Sequence, residues 1–173
     1  RFILEIGIYT FADVAPGGSH PQRLRELVAE MELADQVGLD VFGLGEHHRP
    51  DFAISSPEIV LAAIAGRTRR IKLGTAVTVL STDDPVRVFQ RFSTLNALSN
   101  GRAEPILGRG SFIESYPLFG HELQDYDQLF EERLDLFAHL LRDPRVTWSG
   151  ETRSALKDQP IFPPLGQPMT VWV

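Results

Sequence analysis

The chain has 173 residues, 43% hydrophobic and 23% charged, with 14 glycines and 12 prolines, which is one domain's worth of ordinary globular composition and excludes a wholly disordered chain. Lys+Arg 17 against Asp+Glu 23 gives a formal net charge of -6, without the broad basic field that collects phosphate backbones, so nucleic acid is not an expected partner. The absence of cysteine removes disulfide frameworks, thiolate metal sites and cysteine nucleophiles, and it makes a reducing, cytoplasmic location the expectation.

Ile3 to Tyr9 is apolar and β-prone and runs to the turn-like Pro16-Gly17-Gly18, which predicts a buried first strand and a loop. From Pro21 onward, Leu24, Leu27, Val28, Met31 and Ala34 recur at spacings of three and four, with Gly38 as the stop; this is an amphipathic helix. Leu39 to Gly45 reads as a second strand that delivers Glu46-His47-His48-Arg49 at its carboxyl end. Ser56 and Pro57 then start a second helix, whose apolar stripe is Ile59, Val60, Ala63 and Ile64.

Ile71 to Leu80 predicts a β-branched third strand, and Asp84-Pro85 starts a third helix that stops near Asn100-Gly101. Ala103 to Leu107 is a fourth strand that enters Gly108-Arg109-Gly110-Ser111. Phe112 to Gln124 shows no clean period and reads as a long functional loop. Asp125 or Asp127 caps a fourth helix with Leu129, Phe130, Leu134, Phe137, Leu140 and Leu141 on its buried face. Arg145 to Leu165 reads as an irregular excursion, and Met169 to Val173 as the start of a fifth strand.

Strands alternating with long crossovers give an α/β class with a parallel sheet. An open doubly wound sheet and a β/α barrel fit equally, and both place their chemistry at the carboxyl ends of the strands. No apolar run reaches the roughly 20 residues of a membrane helix, so no bilayer partner is expected. Arg1 to Glu5 lacks an apolar signal-peptide core, so a secretory leader is not expected either.

G-x-G-x-x-G, G-x-x-x-x-G-K-[ST] and G-x-S-x-G are all missing. Gly108-Arg109-Gly110 suits an anion, because glycine lets the backbone approach and the guanidinium forks toward phosphate oxygens; a plain turn with a solvated Arg reads the same way. Adjacent His47 and His48 point to opposite faces of a strand and lack H-E-x-x-H spacing. Proton handling near the ordinary His pKa of about 6.5 is the better use, beside the alternative of a histidine simply bonded into its loop. A metal-dependent hydrolase using His47, His48 and His121 stays open as a third class.

Glu46-His47-His48, Leu73 to Leu80, Asp84-Pro85-Val86-Arg87 and Ser99-Asn100-Gly101-Arg102 before Gly108-Arg109-Gly110, in that order, closely resemble the bacterial luciferase-like flavin monooxygenases. The resemblance implies a (β/α)8 TIM barrel, of which this chain would form the first five strands and four helices as a single N-terminal portion, since a whole barrel takes about 250 residues. It implies reduced FMN, or the deazaflavin F420, at the barrel mouth, with Arg109 on the cofactor phosphate and Gly108 and Gly110 allowing close backbone approach. His47 is the implied catalytic residue, and a non-proline cis peptide at Ala76-Val77 is implied against the flavin ring. The implied reaction uses reduced flavin and O2 to oxygenate a small organic substrate, with a separate NAD(P)H:flavin reductase as supplier. A homodimer through helices two and three is implied as well, with Ala62, Ala63, Ala65 and Gly66 allowing close helix approach, beside the alternative of a plain core role for them. The alternative is a non-catalytic flavin-binding or assembly protein that keeps part of the barrel.

Overall fold

The structure is a computed structural model and describes residues 4–173. Strands β1 (Gly7–Thr10), β2 (Val41–Leu44), β3 (Lys72–Val79) and β4 (Ala103–Gly108) form one parallel sheet in sequential order. Helices α1 (His20–Val37), α2 (Pro57–Ala65) and α3 (Pro85–Leu98) make the three crossovers, each long enough to return the chain in parallel. A short helix α4 (Ser115–Leu118), helix α5 (Tyr126–Arg142) and an antiparallel hairpin of β5 (Arg145–Trp148) and β6 (Leu156–Pro160) follow. The chain then returns beside β4, where Trp172 bridges Ile106 in parallel and exchanges backbone hydrogen bonds with Pro105 and Leu107. That is the expected fifth strand, present as a single bridge.

Local chemistry explains the element ends. Ser19 caps α1 by accepting from Gln22 N, and Gly38 closes it in the left-handed region at φ 88°, where only glycine is unstrained. Asp84 Oδ1 accepts from Val86 N and Arg87 N at the start of α3. Leu27 and Met31 of α1, Phe42 and Leu44 of β2, Leu61 and Ile64 of α2, Leu73 of β3 and Phe92 of α3 are fully or almost fully buried. Each such side chain contributes about 1.5–3 kcal/mol. The helices therefore seal one face of the sheet and hold the strand ends in register.

Several expectations are corrected. The first strand is not buried: Ile8 is 44% and Tyr9 53% exposed, because among the described residues β1 is an edge strand paired only with β2; Ile3 lies outside the described residues. On α2, Ile59 and Ala63 face outward while Glu58, Leu61 and Ile64 are buried, since Arg91 at 3.2 Å makes burial of the Glu58 carboxylate tolerable. Ser56 and Asp125 occupy cap positions without a side-chain cap bond. Residues 145–165 hold the β5–β6 hairpin, whose Val146 and Trp148 are buried at alternate positions. The loop from 112 to 124 contains the single turn α4 and a 3-10 turn at Leu123–Asp125.

Candidate functional site

The carboxyl ends of β2, β3 and β4 open into one cavity of about 520 Å³, a size suited to a cofactor-sized ligand. His47, Ala76, Val77, Gly108, Arg109 and Gly110 all line it. The structure thus brings the residues implied for catalysis and cofactor binding to one place, and leaves His48 and His121 outside it.

Each wall has a local origin. His47 lies three residues beyond the end of β2 and is held by its backbone N–H donating to Ile54 O at 2.9 Å. Its imidazole sits among three phenylalanine rings, Phe11 at 4.7 Å, Phe52 at 4.6 Å and Phe112 at 4.8 Å between centroids. Burial in this setting lowers the His47 pKa below its ordinary value, against the opposing pull of the Glu114 and Glu46 carboxylates. The group is therefore held as a neutral imidazole at physiological pH.

The opposite wall is β3, where the Ala76-Val77 peptide is cis and the register with β4 shifts between Ala76 and Thr78. Val77 leans on β4 so closely that a Cβ at Gly108 would lie 2.7 Å from Val77 Cγ2, so glycine is needed for the two strands to approach. Gly110 lies at φ +82° and turns the chain into the left-handed region, which leaves Arg109 projecting at the rim. The Arg109 side chain is 42% exposed, 3.7 Å from the Asp127 carboxylate. Its guanidinium lies 4.8 Å from the Phe130 ring centroid and 5.8 Å from that of Tyr126. An exposed guanidinium stacked on two rings keeps its forked N–H groups available for an anion.

Sequence reasoning missed Glu46 as a structural member. Its Oε1 lies 3.0 Å from His48 Nε2, and its Oε2 accepts from Val79 N at 2.8 Å, so one carboxylate ties the end of β2 to the end of β3. The aromatic cage was missed too, because its rings come from three separate loops and share no periodicity. Tyr126 and Phe130 of α5 also line the cavity; the signal for Phe130 was the fourth helix's apolar face, and Tyr126 gave none.

The three histidines of the hydrolase alternative have different surroundings. His47 is caged, His48 is on Glu46, and His121 Nε2 is 3.3 Å from Arg133 Nη2. Among the described residues no group of three or more His, Asp or Glu is placed to hold a metal ion. No helix among them is long and apolar enough to cross a membrane.

Comparison with known proteins identifies the family and the fold. Limonene 1,2-monooxygenase of Rhodococcus erythropolis is 37% identical over 118 residues, covering 68% of this chain and 30% of that protein. A monooxygenase from Streptomyces bottropensis superposes with a TM-score of 0.88 at 24% identity, over 97% of this chain and 53% of its own. The oxygenating constituent of 3,6-diketocamphane monooxygenase from Pseudomonas putida, solved in complex with FMN, gives 0.82 at 20% over 90% and 44%. An F420-dependent secondary alcohol dehydrogenase in complex with an F420-acetone adduct gives 0.79 at 19% over 96% and 51%. The α/β architecture is thus similar to that of the TIM-barrel type found in these proteins, and the chain spans less than half the length of the curated relatives it matches. The family model described as luciferase-like monooxygenase matches residues 4–173, and the chain belongs to that family.

Proposed function

We propose that the chain supplies the first part of a β/α barrel that binds reduced FMN at the mouth of the sheet and directs O2 to a small organic substrate. The observation that carries this reading is the convergence of His47, Ala76, Val77, Gly108, Arg109 and Gly110 on one cavity. The residues fit the cofactor: Arg109 offers a forked cation for its phosphate, and Gly108 puts no side chain where Val77 already packs against β4. FMN in one structural neighbour and F420 in another support a flavin or deazaflavin here. FMN is the reading we adopt.

When bound, reduced flavin supplies the reactivity toward O2. The protein binds, orients and excludes water. Arg109 anchors the anionic end at the rim, the Ala76-Val77 bulge supports the ring, and the phenylalanine cage keeps His47 dry. His47, held neutral by burial, takes or returns a proton at the reacting centre. A separate NAD(P)H:flavin reductase delivers the reduced cofactor.

A homodimer through α2 and α3 belongs to the same proposal. Ile59 and Leu98 are 70% and 64% exposed there, and the outward Ala62, Ala63 and Gly66 leave room for a close helix, whereas Ala65 is buried in the core. Ile59→Lys should give a monomer in analytical ultracentrifugation; an unchanged dimer moves the interface elsewhere.

Fluorescence titration of FMN into the protein and its Arg109→Ala variant tests the central reading. Saturable binding that weakens by about tenfold, one charge-assisted contact's worth, is expected. Equal binding by both removes Arg109 from the phosphate site, and no binding by folded protein favours the assembly-protein alternative. His47→Ala should impair oxygenation more than flavin binding.

A further inference from the structure

Next to the main cavity, with which it shares Glu46, His47, Gly110 and Ser111, a much smaller cavity of about 10 Å³ is lined by His47, Glu114 and Ser115 among others. Each contributes a buried polar atom that has no hydrogen-bond partner among the described residues: His47 Nε2, Glu114 Oε2 and Ser115 Oγ. His47 is 8% and Ser115 4% exposed, and although the Glu114 side chain as a whole is 34% exposed, its Oε2 is itself buried, so bulk solvent does not serve these three atoms. Three unpaired polar atoms in such a place would be costly. A space of that size is what one water occupies, and three hydrogen bonds are what a buried water ordinarily makes.

The ionisable groups around His47 are Glu46, His48, Arg49 and Asp51 of its own loop and Glu114 on the loop after β4. Glu46 has both oxygens engaged, one by His48 and one by Val79 N. Asp51 is paired with Arg49 at 3.1 Å. Glu114 is different: Arg49 Nη1 donates to its Oε1 at 2.9 Å, while the other oxygen stays free and buried. Arg49 also lies over the Phe112 ring at 4.8 Å, which fixes the loop that carries Glu114. The carboxylate is held by one oxygen and presents the second inward.

We propose that Glu114 is a positioning residue for His47, acting with Ser115 through one water bound between them. His47 Nε2–H and Ser115 Oγ–H donate to the water, and the water donates to Glu114 Oε2. No bond other than hydrogen bonds forms or breaks. Because the bond made by one ring nitrogen sets the tautomer of the other, this arrangement keeps the proton on Nε2 and leaves Nδ1 with its lone pair. It rests on the reading of His47 as the proton-handling group.

The test is NMR titration of isotope-labelled histidine in the cofactor-free protein, with the His47 signal assigned by its loss in His47→Gln. In Glu114→Gln, His47 should titrate at lower pH than in the parent, and its nitrogen shifts should lose the Nε2–H signature. Glu114→Asp should restore part of both, and Ser115→Ala should move the titration the same way by less. An unchanged His47 titration and tautomer in folded Glu114→Gln overturns the proposal. Should that variant fail to fold, unchanged signals in Ser115→Ala overturn it equally, as does a crystal structure whose electron density shows no water between the three atoms. Flavin is absent throughout, so failure here is separable from failure to bind FMN.

Discussion

Arg102 and Arg109 stand at opposite ends of β4 and are used in opposite ways. Arg102 spends all five N–H donors inside the protein: Nε on Ser99 O at 2.8 Å, Nη1 on Thr68 Oγ1 and Ile71 O at 2.9 Å each, and Nη2 on Ala65 O at 2.8 Å and Thr68 O at 3.2 Å. It thereby collects the end of α2, the loop into β3 and the end of α3. Arg109 has its guanidinium at the rim over two rings and near one carboxylate. The same residue type is a rivet at the amino end of the strand and a free hand at the carboxyl end, which is the division of labour that parallel β/α architecture imposes.

The largest expected effect breaks the rivet. Arg102→Met should lower the unfolding free energy by about 3 kcal/mol, because buried carbonyls lose their donor; chemical denaturation measures it, and a loss no greater than that of a surface substitution would end the comparison. Gly110→Ala at the other end should cost about 1 kcal/mol through its left-handed backbone, with the added Cβ 3.1 Å from Val79 Cγ1.

A pH series sharpens the contrast further. Burial lowers the pKa of His47, and burial followed by the Arg133 charge lowers that of His121. Below about pH 6.5 the unfolded chain therefore takes up protons that the folded chain refuses. Stability should fall as pH drops through that value toward the folded pKa values, with hydrogen exchange quickening first around the carboxyl ends of the strands. His47→Gln should flatten the slope. Smallest of all, Arg109→Ala should leave stability within about 0.5 kcal/mol of the parent, in contrast to its expected effect on FMN.

How legible this was in the sequence depends on how local each cause is. The strand and helix alternation, the Asp84 cap and the Gly38 stop follow from side chains acting on their own backbone, and they were readable. The exposure of β1 was not, because Ile8 and Tyr9 have an apolar pattern whether or not a neighbour covers them. The stripe of α2 was misplaced at Ile59 and Ala63, because a buried carboxylate at Glu58 is not expected until Arg91 is seen beside it, and the β5–β6 hairpin was hidden by the charges of Arg145, Lys157 and Asp158. At the site, His47 and the Gly108-Arg109-Gly110 turn announced themselves as polar or glycine-rich strand ends. The cage of Phe11, Phe52 and Phe112 did not, since only the closed fold brings those loops together.

The two-handed grip of Glu46 has a consequence for how such a cavity can change over evolutionary time. One oxygen holds His48 and the other the backbone of Val79, so the separation between the wall that carries the imidazole and the wall that carries the bulge is set by one carboxylate's width. Loops above it, such as 112 to 124, can be rewritten for different guests without that spacing drifting. Glu46 works as a fixed gauge, and variety is free to accumulate everywhere the gauge does not touch.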